Sequence, residues 1–277
     1  MGSGMAGRLL SADFPLTVYN RNRAKAAPFE KDGAFVASSP REAAARAEII
    51  ISIVADDDAS RAVWFGEDGA LAGASRGSVL VESSTLTVAW VKELAAAAAP
   101  RGCELLDAPV TGTKPHAAAG ELLFLVGGST SALATARPVL AVLSREIVHL
   151  GPTGSGAYLK LINNFLCGVQ AASLAEAIAF IHKSGLDRSK AVSVLTNGAP
   201  GSPLLKIISA RAAAADFTPN FELRLMAKDL RYAVEEAARS GLTLQTATAA
   251  HEIFKHAVAA GDGEKDFSAV LESFPQN

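Results

Sequence analysis

The chain has few cysteines and few aromatic residues, and its net charge is small. Its two cysteines, Cys103 and Cys167, both lie beside apolar residues, which favours reduced thiols over a disulfide framework. The formal net charge of −2 provides no electrostatic attraction for nucleic acid or for an anionic membrane. No apolar run is long enough to predict a membrane span and no secretory leader is recognisable, so we expect a cytoplasmic protein.

Apolar residues are abundant, and their pattern divides the chain into two parts. Hydrophobic residues make up 49% of the 277 positions, and at roughly 100–200 residues per domain this length favours two domains. In the first part, short apolar runs alternate with alanine-rich helical stretches at residues 40–47 and 88–99. The runs predict strands of a doubly wound α/β sheet, parallel and buried on both faces. They cover residues 16–20, 48–54, 78–83, 103–107, 122–126 and 146–150.

The second part shows only helical patterns. They cover residues 155–184, 188–197 and 228–240, with Gly185 predicted to end one helix and Asp187 to cap the next. We therefore predict an α/β domain over residues 1–152, followed by an all-helical domain over residues 153–277.

One helix start carries residues suited to chemistry. Residues 154–164 read G-S-G-A-Y-L-K-L-I-N-N, so that Lys160 and Asn164 lie one turn apart on the same helix face. An ammonium beside an amide can protonate and orient a small oxygenated substrate. Burying a lysine costs free energy, so a buried Lys160 would favour a catalytic or binding role for it. The spacing fits equally well with a Lys160 that faces solvent and has no chemical role.

Residues 2–7 form a literal G-x-G-x-x-G motif. This motif indicates dinucleotide binding only when a strand precedes it, because the strand-to-helix turn presents the glycines to the pyrophosphate. One residue precedes it here, so we do not interpret the motif in that register.

Several segments together resemble the β-hydroxyacid dehydrogenase family, which includes 3-hydroxyisobutyrate dehydrogenases, tartronate semialdehyde reductases and glyoxylate/succinic semialdehyde reductases. Residues 107–113 (D-A-P-V-T-G-T) resemble the family's D-A-P-V-S-G-G, and residues 154–164 match its G-x-G-x-x-x-K-x-x-N-N. Residues 221–230 match F-x-x-x-L-M-x-K-D-L. The resemblance covers essentially the whole chain. It implies a Rossmann-like doubly wound N-terminal domain, an all-helical C-terminal domain, and NAD(P)-dependent interconversion of a small hydroxy acid with its aldehyde or keto acid.

The resemblance assigns roles to the motif residues. Lys160 becomes the acid/base, Asn164 holds the substrate oxygen, and Lys228 reaches both nicotinamide and substrate, with Asp229 supporting a helix start. The substrate carboxylate is anchored by one hydroxyl and the backbone N–H groups beside it. The residues of this anchor are Thr111, Gly112 and Thr113.

The loop after this anchor differs from the hydroxyisobutyrate type. The order T-K-P-H at residues 113–116 is more similar to the glyoxylate/succinic semialdehyde reductases, which favours small aldehyde acids as substrates. We interpret His116 as a surface loop residue.

For the cofactor, the resemblance aligns Gly2 with the third glycine of the family's opening motif, while Gly4 and Gly7 fall at ordinary helix positions. The segment after the first predicted strand has no acidic residue, and arginine accommodates a ribose 2′-phosphate. We therefore expect NADP(H) to be preferred, with NAD possible. The cofactor-binding residues expected in this turn are Asn20, Arg21, Asn22 and Lys25, with Arg23 beside them.

Two further segments are expected at the cofactor. Val54 and Ala55 correspond to the family's loop beneath it, and residues 82–85 (E-S-S-T) resemble D-x-S-T, which places Thr85 near the nicotinamide ribose. The aspartates at 56–58 follow the first of these loops. We expect them to cap a helix rather than to bind a metal, because consecutive acids do not share a helix face.

The family's first strand and first two glycines have no counterpart in this sequence. We expect the coding start to lie upstream. The alternative is a non-catalytic or cofactor-impaired member that acts as a binding module. Imine reductases usually place Asp or Tyr at the position of Lys160, and 6-phosphogluconate dehydrogenases are much longer, so both are disfavoured. We expect a carboxylate-bearing substrate and a homodimer or homotetramer, because the helical half is apolar.

Overall fold

Strands and helices alternate through the first part of the chain, and helices dominate the second. The computed structural model describes residues 1–274. Contacts between Cα atoms divide the chain into the units Met1–Lys160 and Leu161–Asn277. This division falls inside one long helix, Ser155–Lys183, whereas the predicted domain boundary at residue 152 lies just before that helix begins. The first unit is a Rossmann-like α/β structure and the second is helical.

The strands of the first unit are short and mostly apolar. The predicted strands are all present, with ends that differ by a few residues, and two further two-residue strands occur at 35–36 and 110–111. In chain order the strands are β1 (Thr17–Val18), β2 (Phe35–Val36), β3 (Ile49–Ser52), β4 (Val79–Glu82), β5 (Glu104–Asp107), β6 (Val110–Thr111), β7 (Leu122–Gly127) and β8 (Ser144–Gly151).

The main sheet is mixed rather than parallel, so that part of the prediction is wrong. Its order is β3-β4-β5-β7-β6, with β8 also paired to β7. The pairs β3–β4, β4–β5 and β7–β8 are parallel, whereas β7 runs antiparallel to β5 and β6. A short apolar strand buried on both faces has the same composition in either direction, so the sequence does not reveal the reversal. Strands β1 and β2 form a separate parallel pair.

The helices of the first unit cover a core formed by the sheet. Phe124, Val81 and Leu106 on the strands pack with Met5 and Leu140 from the surrounding helices. The helices are α1 (Gly2–Leu10), α2 (Arg23–Ala26), α3 (Pro28–Lys31), α4 (Pro40–Ala44), α5 (Asp57–Trp64), α6 (Ala70–Gly73), α7 (Val88–Ala98), a 3₁₀ turn (Ala99–Arg101), α8 (Lys114–Ala119), α9 (Thr130–Leu143) and the start of α10 (Ser155–Lys183).

The second unit packs its helices around a core of its own. Leu230 on one helix, Phe254 on the next and Val270 near the C-terminus are fully buried there. The remaining elements are α11 (Arg188–Asn197), α12 (Pro203–Ala213), α13 (Leu223–Arg239), α14 (Gln245–Ala257), a π-helical segment (Val258–Asp262) and a 3₁₀ helix (Phe267–Glu272).

The predicted helix signals in this unit are confirmed where they rest on caps. Gly185 adopts a positive φ of 72° after α10, and the Asp187 carboxylate accepts the Lys190 N–H at 2.8 Å to cap α11. Helix α13 begins at Leu223, five residues before the predicted start. It directly follows an extended segment at Phe221 and Glu222, and the bridge between Glu222 and Asp266 fixes where that segment ends. Helices α12 and α14 were not predicted.

Helix α10 corrects the statement about apolar length. Its 29 residues include an 18-residue window with mean hydropathy 1.5, long and apolar enough to cross a membrane by length and composition alone. The central helix of a folded domain meets the same criterion. In α10, Ala171, Ala175 and Ile178 contribute to the core of the second unit.

Candidate active site

The start of α10 is held by a buried carboxyl group on the sheet. Asp107, the last residue of β5, is 1% exposed. Its two oxygens accept the N–H groups of Gly154 at 2.8 Å and Ala157 at 2.9 Å. Lys160 lies three residues after Ala157 and is half-buried. The first-turn N–H groups of a helix have no partner within the helix, so Asp107 supplies the acceptors that this buried helix start requires.

The glycines around this carboxyl group are required by space. A Cβ on Gly156 would lie 2.2 Å from the Leu125 carbonyl oxygen, and one on Gly127 would lie 2.5 Å from Asp107 Oδ1. Gly154 has a φ of +100°, a conformation that other residues rarely adopt. Burial raises the pKa of Asp107, and the N–H donors of Gly154 and Ala157 partly oppose that rise. The motif therefore places the first turn of the lysine helix directly against the end of β5.

The predicted carboxylate anchor lies at the end of β6. Thr111 is half-buried, and Gly112 has a φ of +121°, with space on one side limited by Leu122. The Thr113 N–H donates to His116 Nδ1 at 3.2 Å, and Thr113 Oγ1 lies 2.8 Å from the same nitrogen. His116 is therefore in helix α8, as the partner of Thr113 in a capping box, and not in a loop. One N–H of the predicted anchor is already paired within the chain.

The loops after β3 and β4 are joined by hydrogen bonds. The Val54 N–H donates to Ser84 Oγ at 2.7 Å, and the Ser84 N–H donates to Glu82 Oε1 at 2.9 Å. Glu82 is 1% exposed, and its other oxygen accepts the Ser60 hydroxyl and Trp64 Nε1–H, both at 2.7 Å. Sequence reasoning treated Glu82 only as a tolerated replacement for Asp. The structure makes it the organiser of the loop that carries Thr85.

The aspartates after β3 have two distinct functions. Asp56 Oδ1 accepts the Ala59 N–H at 2.9 Å, which confirms the predicted helix cap. Asp57 instead accepts the N–H of Thr87 at 3.0 Å and its hydroxyl at 2.6 Å. These bonds add a second tie between the β3 and β4 loops. Within residues 1–274, no group of three or more His, Cys, Asp and Glu side chains is arranged to hold a metal.

The turn after β1 is short and ordered by its own asparagines. Asn20 Oδ1 accepts the Asn22 N–H at 2.9 Å, and Asn22 Oδ1 accepts the Ala24 N–H at 3.1 Å to cap α2. Arg21, Arg23 and Lys25 are exposed around this turn.

Small residues shape α1 in the same unit. A Cβ on Gly2 would lie 3.0 Å from the Ile53 side chain, as expected for a glycine at a close helix–strand contact. Gly4 is not at an ordinary position, because its Cβ would lie 2.9 Å from the backbone nitrogen of Ala118 in α8.

In the second unit, Asn164 and Lys228 share one buried carboxylate. Asn164 Nδ2 donates to Asp229 Oδ2 at 2.5 Å, and Lys228 Nζ lies 2.9 Å from Asp229 Oδ1. Asn164 Oδ1 accepts from Asn163 Nδ2 at 2.9 Å. Asp229 lies seven residues into α13, so the expectation that it supports the helix start is wrong. It orients the two side chains assigned to the substrate.

A glycine allows this contact. A Cβ on Gly168, one turn after Asn164, would lie 2.8 Å from Leu230 Cδ2. The missing side chain lets α13 approach α10 closely enough for the hydrogen bond between Asn164 and Asp229. The sequence signal for this pairing was the Lys-Asp dipeptide, which on its own is also typical of surface pairs.

Comparison with known proteins covers both halves of the chain. Residues 1–151 match the family described as the NAD binding domain of 6-phosphogluconate dehydrogenase. Residues 154–274 match the family described as NAD-binding of NADP-dependent 3-hydroxyisobutyrate dehydrogenase.

Individual relatives cover nearly all of the chain. Glyoxylate/succinic semialdehyde reductase 2 of Arabidopsis thaliana is 34% identical over 99% of this chain and 76% of its own. The NAD-dependent L-serine dehydrogenase of Pseudomonas aeruginosa is 33% identical over 99% of this chain and 94% of its own. The solved structure of Mycobacterium tuberculosis 3-hydroxyisobutyrate dehydrogenase with L-serine has a TM-score of 0.88 and 32% identity, over 99% of this chain and 95% of that one.

Proposed function

The chain belongs to the β-hydroxyacid dehydrogenase family and is an NAD(P)-dependent oxidoreductase, and we propose that Lys160 is its acid/base. The observation that carries this proposal is the half-buried Lys160 on a helix whose start is bonded to Asp107. A lysine on a surface stripe needs neither a glycine-lined contact with the sheet nor a buried carboxyl acceptor.

The reaction converts a hydroxyl-bearing carbon into a carbonyl carbon, or the reverse. The nicotinamide cofactor, when bound, supplies or accepts the hydride. In reduction, the Lys160 ammonium donates a proton to the carbonyl oxygen. In oxidation, the neutral amine takes the proton from the hydroxyl. The chain holds this group on a helix, which positions a proton donor better than a loop does.

The substrate is proposed to be a small acid with a nearby hydroxyl or carbonyl. Thr111 and the backbone at Gly112 bind the carboxylate, while Asn164 and Lys228 orient the reacting oxygen. Two observations support these roles. Thr111 remains partly accessible beside a glycine, and the carboxylate of Asp229 fixes both Asn164 and Lys228. Relatives named for glyoxylate, succinic semialdehyde and L-serine share this substrate chemistry.

NADP(H) is the proposed preferred cofactor. Arg21 and Lys25 are exposed beside a turn ordered by Asn20 and Asn22, and no acid is present there to bind a ribose 2′-hydroxyl. Gly2, Val54, Ala55 and Thr85 are the further proposed cofactor contacts, and the resemblance adds Lys228.

We further propose a cytoplasmic homodimer or homotetramer. Cys103 and Cys167 do not form a disulfide with each other, which suits a reducing compartment. Phe180 and Val194 in the second unit are 77% and 71% exposed, and a second copy of the chain would cover such apolar side chains.

Lysine variants test the central proposal. Lys160→Ala should lower kcat by about 10²–10⁴-fold, because general acid/base catalysis is lost. Lys160→Arg should also be inactive, since a guanidinium keeps the charge and cannot exchange the proton near neutral pH. We would measure kcat with glyoxylate, succinic semialdehyde, 3-hydroxyisobutyrate and L-serine, and NADPH affinity by fluorescence titration.

NADPH affinity should stay close to that of the unmodified chain in both variants. Turnover within about tenfold of the unmodified chain in either variant would remove Lys160 from the acid/base role. If the unmodified chain binds no NADPH or NADH and turns over none of the four substrates, the cofactor-impaired binding module is the correct description.

A further inference from the structure

We propose that Asp107 is a positioning residue for the reaction: it bonds the start of α10 to the centre of the sheet and thereby sets the orientation of Lys160. This inference rests on the proposed function of Lys160. Asp107 is not among the residues that the sequence motifs assign to substrate or cofactor.

The backbone of Asp107 is fixed on both sides. It pairs with Glu82 of β4 in parallel register and with Gly127 of β7 in antiparallel register. A residue between two bonded strands has little freedom to move. Its side chain is therefore a fixed reference point, and whatever bonds to that side chain is located relative to the sheet.

The helix start, by contrast, has little rigidity of its own. Gly154 and Gly156 lack the side chains that restrict backbone torsions, so the segment entering α10 is intrinsically permissive. Asp107 Oδ1 and Oδ2 each accept one N–H, from Gly154 and from Ala157, and two bonds on one rigid group fix both position and direction. Lys160 follows Ala157 by three residues on the same helix face, so a rotation of the first turn moves its ammonium directly.

Two glycines leave the space that the carboxyl group occupies. Atoms added to Gly127 or Gly156 would meet its oxygens at 2.5 Å and 3.0 Å. The chain thus leaves a space of the size of this carboxyl group between β7 and α10. Asp107 also begins the segment that reaches Thr111 four residues later, so one residue locates both the lysine helix and the predicted carboxylate anchor.

Kinetics can separate positioning from simple stabilisation. We would prepare the isosteric Asp107→Asn, which keeps one acceptor in place, and Asp107→Ala, which removes both acceptors, in the full chain. Leu140→Ala serves as the control, because it empties a fully buried core site in the same unit and removes no hydrogen bond at the start of α10. Rates would be expressed per NADPH-binding site, so that a smaller folded fraction does not register as lower kcat.

We expect kcat to fall by about 10–100-fold in Asp107→Ala and less in Asp107→Asn, as a misplacement of catalytic groups predicts. The dissociation constant for NADPH should stay within about twofold. The deuterium isotope effect on kcat with 4-deuterated NADPH should be at least as large as in the unmodified chain, because slower hydride transfer stays or becomes rate-limiting. Leu140→Ala should lower the melting temperature without changing kcat per site or the isotope effect.

Two results would overturn the inference: an unchanged kcat per site in Asp107→Ala, or a lower kcat with a smaller isotope effect than in the unmodified chain. Hydrogen exchange provides a test that does not depend on turnover. The amides of Gly154 and Ala157 should be protected in the unmodified chain and exchange faster in both Asp107 variants. Equal exchange would refute the bonding role, whereas faster exchange in a chain without turnover would refute only the proposed function.

Discussion

At the scale of single residues, buried carboxyl groups organise this protein. Asp107, Glu82 and Asp229 are each at most 1% exposed, and each joins two segments that carry predicted site residues. Burying a carboxyl group is costly unless donors surround it, so the positions of such groups are determined by the donors they meet. Sequence motifs identified Lys160 and Thr111 but did not identify these three residues as organisers, because their donors come from distant parts of the chain.

Glu82 provides the clearest single-residue test of the idea that a buried carboxyl group stabilises the protein through the donors around it. Glu82→Ala would leave the Ser84 N–H, the Trp64 indole N–H and the Ser60 hydroxyl without their acceptor. We expect a loss of about 2–4 kcal/mol in the free energy of unfolding, since each buried unpaired donor costs about 1–3 kcal/mol and some of them can find new partners. Urea unfolding followed by circular dichroism would measure it.

Glu93 provides the control for Glu82. Its carboxylate pairs with Arg61 at 2.6 Å on the surface, where the pair is largely exposed. Glu93→Ala should leave the urea midpoint almost unchanged, because solvent screens exposed ion pairs. Equal losses in the two variants would show that the bonds of Glu82 stabilise no more than a surface pair does.

At the scale of elements, helix α1 shows how a motif can match without its usual meaning. The literal G-x-G-x-x-G lies inside α1, so none of its glycines forms a strand-to-helix turn. Gly4 faces α8 at close range, whereas a Cβ on Gly7 would meet nothing within 4 Å. The two glycines therefore make a matched pair within one helix.

We predict opposite effects for Gly4→Ala and Gly7→Ala. Gly7→Ala should raise the free energy of unfolding by about 0.5–1 kcal/mol, through the better helix propensity of alanine. Gly4→Ala should lower it by about 1–3 kcal/mol, because the new Cβ would lie 2.9 Å from the Ala118 nitrogen. Thermal unfolding of both variants would measure the difference. Stabilisation by both would contradict the close contact between α1 and α8.

The ends of helices were predictable where capping residues or a glycine mark them in the sequence. The caps at Asp56 and Asp187 and the stop at Gly185 were predictable, because each is a contact between residues close in sequence. The reversal of β7 and the early start of α13 were not predictable. Both depend on pairing with distant segments, β5 in one case and residue 266 in the other.

At the scale of the whole molecule, cofactor binding decides between an enzyme and an impaired relative. NADPH at 100 times its dissociation constant should add about 2.7 kcal/mol to the free energy of unfolding and raise the melting temperature by several degrees. NADH at the same concentration should raise it less. Arg21→Ala should reduce the NADPH shift towards the NADH shift, because the proposed phosphate contact is lost.

Arg239→Ala is the control for this experiment, since Arg239 is an exposed residue at the end of α13. It should keep the full difference between NADPH and NADH. Equal shifts with both cofactors in the unmodified chain would contradict the NADP preference, and no shift with either would favour the binding module.

The sequence by itself determined the family, the two-part α/β and helical architecture, and the candidate acid/base. Those properties depend on local periodicity and on the spacing of motifs, and both are visible directly in the sequence. Only the tertiary structure decided the mixed sheet and the bonds by which Asp107, Glu82 and Asp229 locate the site. The physical reason is that a buried polar group is defined by the partners it meets, and folding brings most partners of these carboxyl groups from 18 to 65 positions away.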